Sequence, residues 1–212
     1  MRLCVHGDSL FAWVSAAKLA ETGNQVLMRT SGINNSFDPS REPNLSLLLD
    51  EQQQGQRLIV ESLADAMPTD VHLHLIALDL AVEEVESLVT HVIRQVDDSA
   101  PLLFLVLSTL PIGSLDRLQQ FAAQTLLDLK RNQRVDIVGL PLFCREGCAL
   151  SDFSKPSLLL VSGERDSVSV KHTLELMRPF VRKAAHLMIV PHTTGELIKM
   201  GVNAMLATRI SF

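Results

Sequence analysis

Short apolar runs alternate with longer segments of helical periodicity along most of the chain, and this alternation constrains the fold more than any single motif. The runs fall at residues 2–6, 25–29, 72–78, 102–107, 135–138, 157–161 and 186–190. Between them, residues 11–21, 80–95, 115–129 and 168–181 place apolar side chains at three- and four-residue steps, as in Val82, Val85, Leu88, Val89 and Val92. Strands alternating with helices predict right-handed βαβ units and an α/β, Rossmann-like, doubly wound and mostly parallel sheet with helices on both faces. The run LLFLVL at residues 102–107 has no polar face, which suits a central strand buried on both sides. Residues 30–44, rich in Ser, Asn and Pro, form the clearest loop, and EQQQGQ at residues 51–56 is a polar turn. No internal repeat or linker divides the chain.

The bulk properties exclude several classes of partner. With 47% hydrophobic and 20% charged residues in 212, the chain can bury a sizeable core. A net charge of −5 argues against nucleic acid, because neutralising phosphates requires clustered Lys and Arg. No apolar run approaches the roughly 20 residues that span a bilayer, and no basic amphipathic segment suits a membrane surface. The N-terminus lacks a secretory signal, and three cysteines without framework spacing suit a reducing compartment, so a cytoplasmic location is expected.

The stretch VHGDSLFAWV, from Val5, runs from strand through glycine into helix, as a dinucleotide-binding turn does. Where such a turn reads G-x-G-x-x-G, this one has Gly7, Ser9 and Ala12. The first glycine permits the tight turn, the second lets backbone approach a diphosphate, and the third, for which alanine substitutes, lets helix pack on strand. Ser9 puts a side chain where phosphate needs bare backbone, and Asp8 adds a negative charge near the helix N-terminus. The second run ends in Arg29 and Thr30, without the acid that would hold ribose hydroxyls. Arg29 leaves room for a 2′-phosphorylated cofactor, although a lone arginine is more often a solvated surface charge. The turn also reads as a generic strand–turn–helix with Asp8 or Ser9 as N-cap.

Two distal stretches go beyond the generic pattern. LPLFCREGCALSDFSKPSLLLVSGE, from Leu140, resembles the NPEFLREGxAxxDFxxPxRxVxG segment of the UDP-glucose/GDP-mannose dehydrogenase family. GELIKMGVNAMLATRISF, from Gly195, resembles that family's AELIKYxxNAFLATKISF. The turn at Gly7, REPNLSLLL from Arg41 and STLPIGS from Ser108 are weaker matches in the same order. The resemblance covers essentially the whole chain and implies the family's N-terminal NAD-binding domain (residues 1–194) followed by the start of its central dimerisation helix (residues 195–212).

Family enzymes oxidise a nucleotide-sugar 6-alcohol to a carboxylate in two NAD-dependent steps through a cysteine thiolate. Carried over by position, Lys199 matches the family's active-site lysine and Asn203 its partner asparagine. At i and i+4 the two share a helix face. Glu146 keeps the glutamate of the REG triplet, and Gly7, Ser9, Leu10, Ala12, Arg29, Thr30, Ser108 and Thr109 are the candidate cofactor contacts. As isolated hydroxyls, Ser108 and Thr109 are equally ordinary strand-end caps.

The departures are chemical. The glutamate after proline, an acid/base in relatives, falls on Leu142, and Asp79 and Leu80 stand where a TP turn is usual. The family's cysteine nucleophile and sugar-binding domain lie past the position of Phe212. Cys144 and Cys148 stand in a C-x₃-C arrangement that a helix would bring to one face, but both read better as small buried hydrophobes. His72 and His74 alternate on a strand without an evident third metal ligand, and His186 and His192 lack ligand spacing, so no metal is expected.

The expected function is an NAD-binding-domain protein with weakened cofactor binding and no complete dehydrogenase activity alone. The alternative is a pseudoenzyme acting as a regulatory or interaction protein without cofactor. An active dehydrogenase of another substrate fits least. A nucleotide or nucleotide-sugar ligand, and a homodimer or protein partner docking through residues 195–212, complete the expectation, because Met200, Met205, Leu206, Ile210 and Phe212 would leave an apolar surface.

Overall fold

The computed structural model describes residues 1–30, 37–78 and 81–212. Asp79, Leu80 and most of the serine- and asparagine-rich start of the 30–44 loop lie outside the described residues. Along the chain run β1 (Arg2–His6), α1 (Leu10–Glu21), β2 (Gln25–Thr30), α2 (Leu45–Gln54), β3 (Leu58–Ser62), β4 (Leu73–Ile76) and α3 (Val82–Gln95). They are followed by β5 (Leu102–Val106), α4 (Ser114–Asp128), β6 (Val135–Gly139), α5 (Ala149–Ser154) and β7 (Leu158–Ser162), then α6 (Val168–Leu176), α7 (Arg178–Val181), β8 (His186–Val190) and α8 (His192–Ser211).

The strands form one eight-stranded sheet in the order β3-β2-β1-β4-β5-β6-β7-β8. Its pairs are parallel except β6–β7, which meet antiparallel at Gly139 and Ser162. That crossing is tight: a Cβ on Gly139 would fall 2.1 Å from Ser162 Oγ. The expected α/β architecture, with helices on both faces and a C-terminal helix, therefore holds.

Two-residue alternation divides the core. Leu3, Val5, Met28, Leu75, Leu103 and Leu105 face α1, α2 and α5 in one cluster. Ile76, Leu102, Phe104, Val106 and Ile137 face α3 and α4 in another. All five residues of β5 are buried, as its unbroken apolar run requires. Helix α1 is buried along most of its length because Ala12, Ala16, Ala17 and Ala20 let it lie close to both the sheet and its neighbouring helices. Helix α3 shows the opposite design, with one apolar stripe and an acidic first turn in which Glu84 accepts from the Ala81 N–H at 3.0 Å.

Several elements depart from the sequence reading. Strand β3 and helices α2 and α5 were not expected. The 168–181 segment is two helices, divided at Met177 with Pro179 in the first turn of the second. Helix α8 begins at His192.

Candidate functional site

The carboxyl ends of β1, β4, β5 and β6 converge with the N-termini of α1 and α8, the region where open α/β sheets place ligands. At the end of β1, Gly7 has φ +143°, and a Cβ there would stand 2.3 Å from the Ala77 carbonyl oxygen. Only glycine lets this turn close against the end of β4. Its N–H donates to the Arg29 carbonyl at 3.1 Å.

Ser9 caps α1 and points into the protein. Its hydroxyl accepts from the Ala12 N–H at 3.3 Å and donates to the Ala77 carbonyl at 2.9 Å. A first-turn N–H of the kind that cradles phosphate is thereby taken by the protein's own side chain. Leu10 is half-buried and Ala12 fully buried behind it.

Arg29 corrects the surface-charge reading. It is 1% exposed, and its guanidinium donates to the carbonyls of Leu63, Asp65 and Ala66 with Glu61 3.8 Å away. It holds the segment after β3. Thr30 is buried and its carbonyl accepts the Leu63 N–H. Ser108 ties β4 to β5, its hydroxyl accepting from the Leu78 N–H at 3.0 Å and donating to the Ile76 carbonyl at 3.3 Å. Thr109 is exposed.

Lys199 and Asn203 line one pocket of about 650 Å³ with Phe143, Cys144, Arg145 and Lys155. The Lys199 Nζ donates to the Leu142 carbonyl at 2.7 Å and lies 4.7 Å from the centre of the Phe143 ring. Burial holds its pKa below the ordinary lysine value. Lys199 also borders a cavity of about 20 Å³, room for one water, together with Ser108, Thr109 and Glu196. Lys199 thus stands between Asn203, in the large pocket, and Ser108 and Thr109, in the small one.

Glu146 stands apart. It is exposed and pairs with Arg41 at 3.2 Å. Leu142 packs in the core at 6% exposure. The carboxylate lining the large pocket, Asp152, is held by three hydrogen bonds from Arg145, which also keep its pKa low. Among the described residues, an ammonium donor lines this pocket without a poised carboxylate base. Cys144 is half-buried, with its thiol pushed up to about 12 by burial. Cys148 is exposed at the N-cap of α5, contrary to the buried reading, and no helix joins the two.

Two buried glutamates, to which the sequence assigns no role, anchor helix ends near the site. Glu42 is 2% exposed and accepts from the N–H groups of Gly147 and Ala149 at 2.6 and 2.7 Å. Glu196, one turn before Lys199, accepts from those of Gly113 and Leu115 at 2.6 and 2.8 Å. Each buries a charge against the open end of a helix. Their only sequence signal was membership of the REPN and GELIK matches.

The fold is a Rossmann-like α/β domain with its candidate site at the carboxyl end of the sheet. No family model matches the chain. It is 29% identical over 225 residues to UDP-glucose 6-dehydrogenase of Pseudomonas aeruginosa, covering all of this chain and 49% of that protein. In fold it superimposes on GDP-mannose dehydrogenase of Pseudomonas aeruginosa with a TM-score of 0.84 at 20% identity, over 51% of that chain. The UDP-glucose dehydrogenase of Pyrobaculum islandicum gives 0.81 at 24% identity, again over 51%. The chain matches the N-terminal domain of the UDP-glucose/GDP-mannose dehydrogenase family and spans about half the length of these relatives. Among the described residues no helix is long and apolar enough to cross a membrane.

Proposed function

We propose that this chain is a dinucleotide-binding domain of the nucleotide-sugar dehydrogenase family whose grip on NAD is weakened and which does not complete a dehydrogenase reaction alone. Gly7, Ser9, Leu10, Ala12, Thr30, Ser108 and Thr109 would hold the cofactor. When bound, NAD would supply a hydride acceptor. The observation that carries the weakening is the Ser9 hydroxyl on the Ala12 N–H, which a diphosphate would have to displace. Thr30 in place of an acid removes a ribose contact, and Leu142 removes a proton acceptor, while Lys199 and Asn203 keep a hydrogen-bonding face for a nucleotide-sugar oxygen.

The second reading, a binding protein without cofactor, is favoured by Lys199 being engaged by the Leu142 carbonyl. Residues 1–194 would form the binding unit and residues 195–212 a docking helix. Leu197, Met205, Leu206, Ile210 and Phe212 are exposed there, and a homodimer or another protein would cover them.

Calorimetric titration with NAD⁺, NADH and NADPH tests the first reading. Dissociation constants near millimolar support it, low-micromolar affinity refutes the weakening, and no heat at millimolar ligand favours the cofactor-free reading. Light scattering at high protein concentration tests the homodimer, which a monomer would refute.

A further inference from the structure

Directly behind the Gly7 turn, three side chains of metal-ligating type from two adjacent strands meet on the α3-facing side of the sheet. Cys4 and His74 are register partners across β1 and β4, and His6 stands two residues further along β1. Two-residue alternation puts all three on one face. Their ligand atoms lie within 4.8 Å of one another, and the residues are 0%, 1% and 0% exposed. The His74 ring stacks between His6, at 5.3 Å, and Phe104, at 5.5 Å.

The hydrogen bonds fix the tautomers. His74 Nε2 is 2.9 Å from the Val71 carbonyl, which only accepts, so Nε2 carries the proton and Nδ1 presents a lone pair. His6 Nε2, 3.0 Å from that Nδ1, must then donate. The His6 Nδ1 is left as a buried lone pair with no partner among the described residues. With Nδ1 engaged by no other group, His6 can change tautomer and offer Nε2 as a ligand without breaking a second hydrogen bond.

We propose that Cys4, His6 and His74 form a buried three-ligand site for monovalent copper. One thiolate and two imidazoles are soft and borderline donors with no hard carboxylate among them. His74 is already oriented as a ligand, its Nε2–H held by the Val71 carbonyl while Nδ1 faces the cluster. Structural zinc asks for four ligands, and among the described residues no fourth donor joins the group.

Burial points the same way. The three groups are shut off from water, and the Arg29 guanidinium, on the β2 residue paired with His6, has Glu61 at 3.8 Å. Cu⁺ with one thiolate is neutral, whereas Zn²⁺ with one thiolate would keep a net positive charge in a buried site. On binding, the Cys4 thiol releases its proton to solvent and a sulfur–copper bond forms. The His6 proton shifts from Nε2 to Nδ1, so that Nε2 and the His74 Nδ1 both donate to the ion, with no change of oxidation state.

The test uses the full chain with Cys144→Ala and Cys148→Ala, which removes the competing thiols, titrated anaerobically with Cu⁺ against a chromophoric chelator and separately with Zn²⁺. The expected result is one Cu⁺ per chain, an X-ray absorption spectrum fitted by one sulfur and two nitrogens, and a raised Tm. Adding Cys4→Ala should weaken uptake by at least about 100-fold, beyond the ~10–100-fold typical of outer-shell changes. Uptake unaffected by Cys4→Ala, a ligand shell without sulfur, preference for Zn²⁺, or no uptake would each overturn the site. Should Cys4→Ala fail to fold, the absorption spectrum of the parent protein decides alone.

Discussion

Replacing Ser9 with glycine restores the second glycine of the dinucleotide turn and separates two effects that the wild-type side chain couples. Glycine is itself an acceptable N-cap, so losing the cap from the Ala12 N–H costs only a few tenths of a kcal/mol. Losing the buried bond to the Ala77 carbonyl costs about 1 kcal/mol. The sum, about 1–1.5 kcal/mol, lowers a urea midpoint by about 0.6 M for a slope near 2 kcal/mol per molar. Cofactor affinity moves the other way. The freed N–H can donate to a diphosphate oxygen, and a hydrogen bond to a charged group contributes about 1.5–3 kcal/mol, or about 10- to 100-fold in Kd. Urea unfolding followed by circular dichroism and NADH titration of the same variant measure both. An unchanged midpoint together with unchanged affinity would show that the Ser9 hydroxyl neither caps the helix nor blocks the diphosphate.

Glu42→Gln leaves one of the Gly147 and Ala149 N–H groups without an acceptor. It should cost about 2–3 kcal/mol by thermal unfolding and speed amide exchange around α5, whereas wild-type exchange there would refute the strap. Ser162→Ala removes a buried hydroxyl with no partner among the described residues and should be neutral or stabilising. Gly139→Ala should cost about 1–3 kcal/mol by overpacking against that hydroxyl, and the double variant should recover part of the loss. Lys199 has its pKa lowered by burial, so the unfolded chain binds its proton more tightly. Stability should therefore rise as pH climbs through the lowered value towards the ordinary 10.5, and Lys199→Met should flatten that rise in urea unfolding at a series of pH values.

The buried strands were legible because their apolar runs are unbroken, and α3 and α4 because their apolar stripes repeat cleanly. Strand β3 was not, since at the sheet edge LIVES carries only one buried residue and offers no pattern. Helix α5 has six residues, too few for a period. Lys199 and Asn203 were legible through the family match, and their i, i+4 spacing put them on one helix face. The capping glutamates were not, because Glu42 and Glu196 act on backbone N–H groups more than 80 residues away. Arg29 was misread although alternation along β2 puts it on the same face as the buried Leu27. Cys4, His6 and His74 meet only because β4 lies beside β1, a contact 68 residues apart between the two histidines.

The proposed dinucleotide turn is kept in shape but weakened in grip. Titrating NADH into ¹⁵N-labelled protein while following backbone amide shifts tests location and affinity together. Shifts should centre on Gly7, Ser9, Leu10, Ala12 and Ser108 and saturate near millimolar NADH. Saturation at low micromolar NADH, or shifts that leave this turn untouched, would contradict this reading.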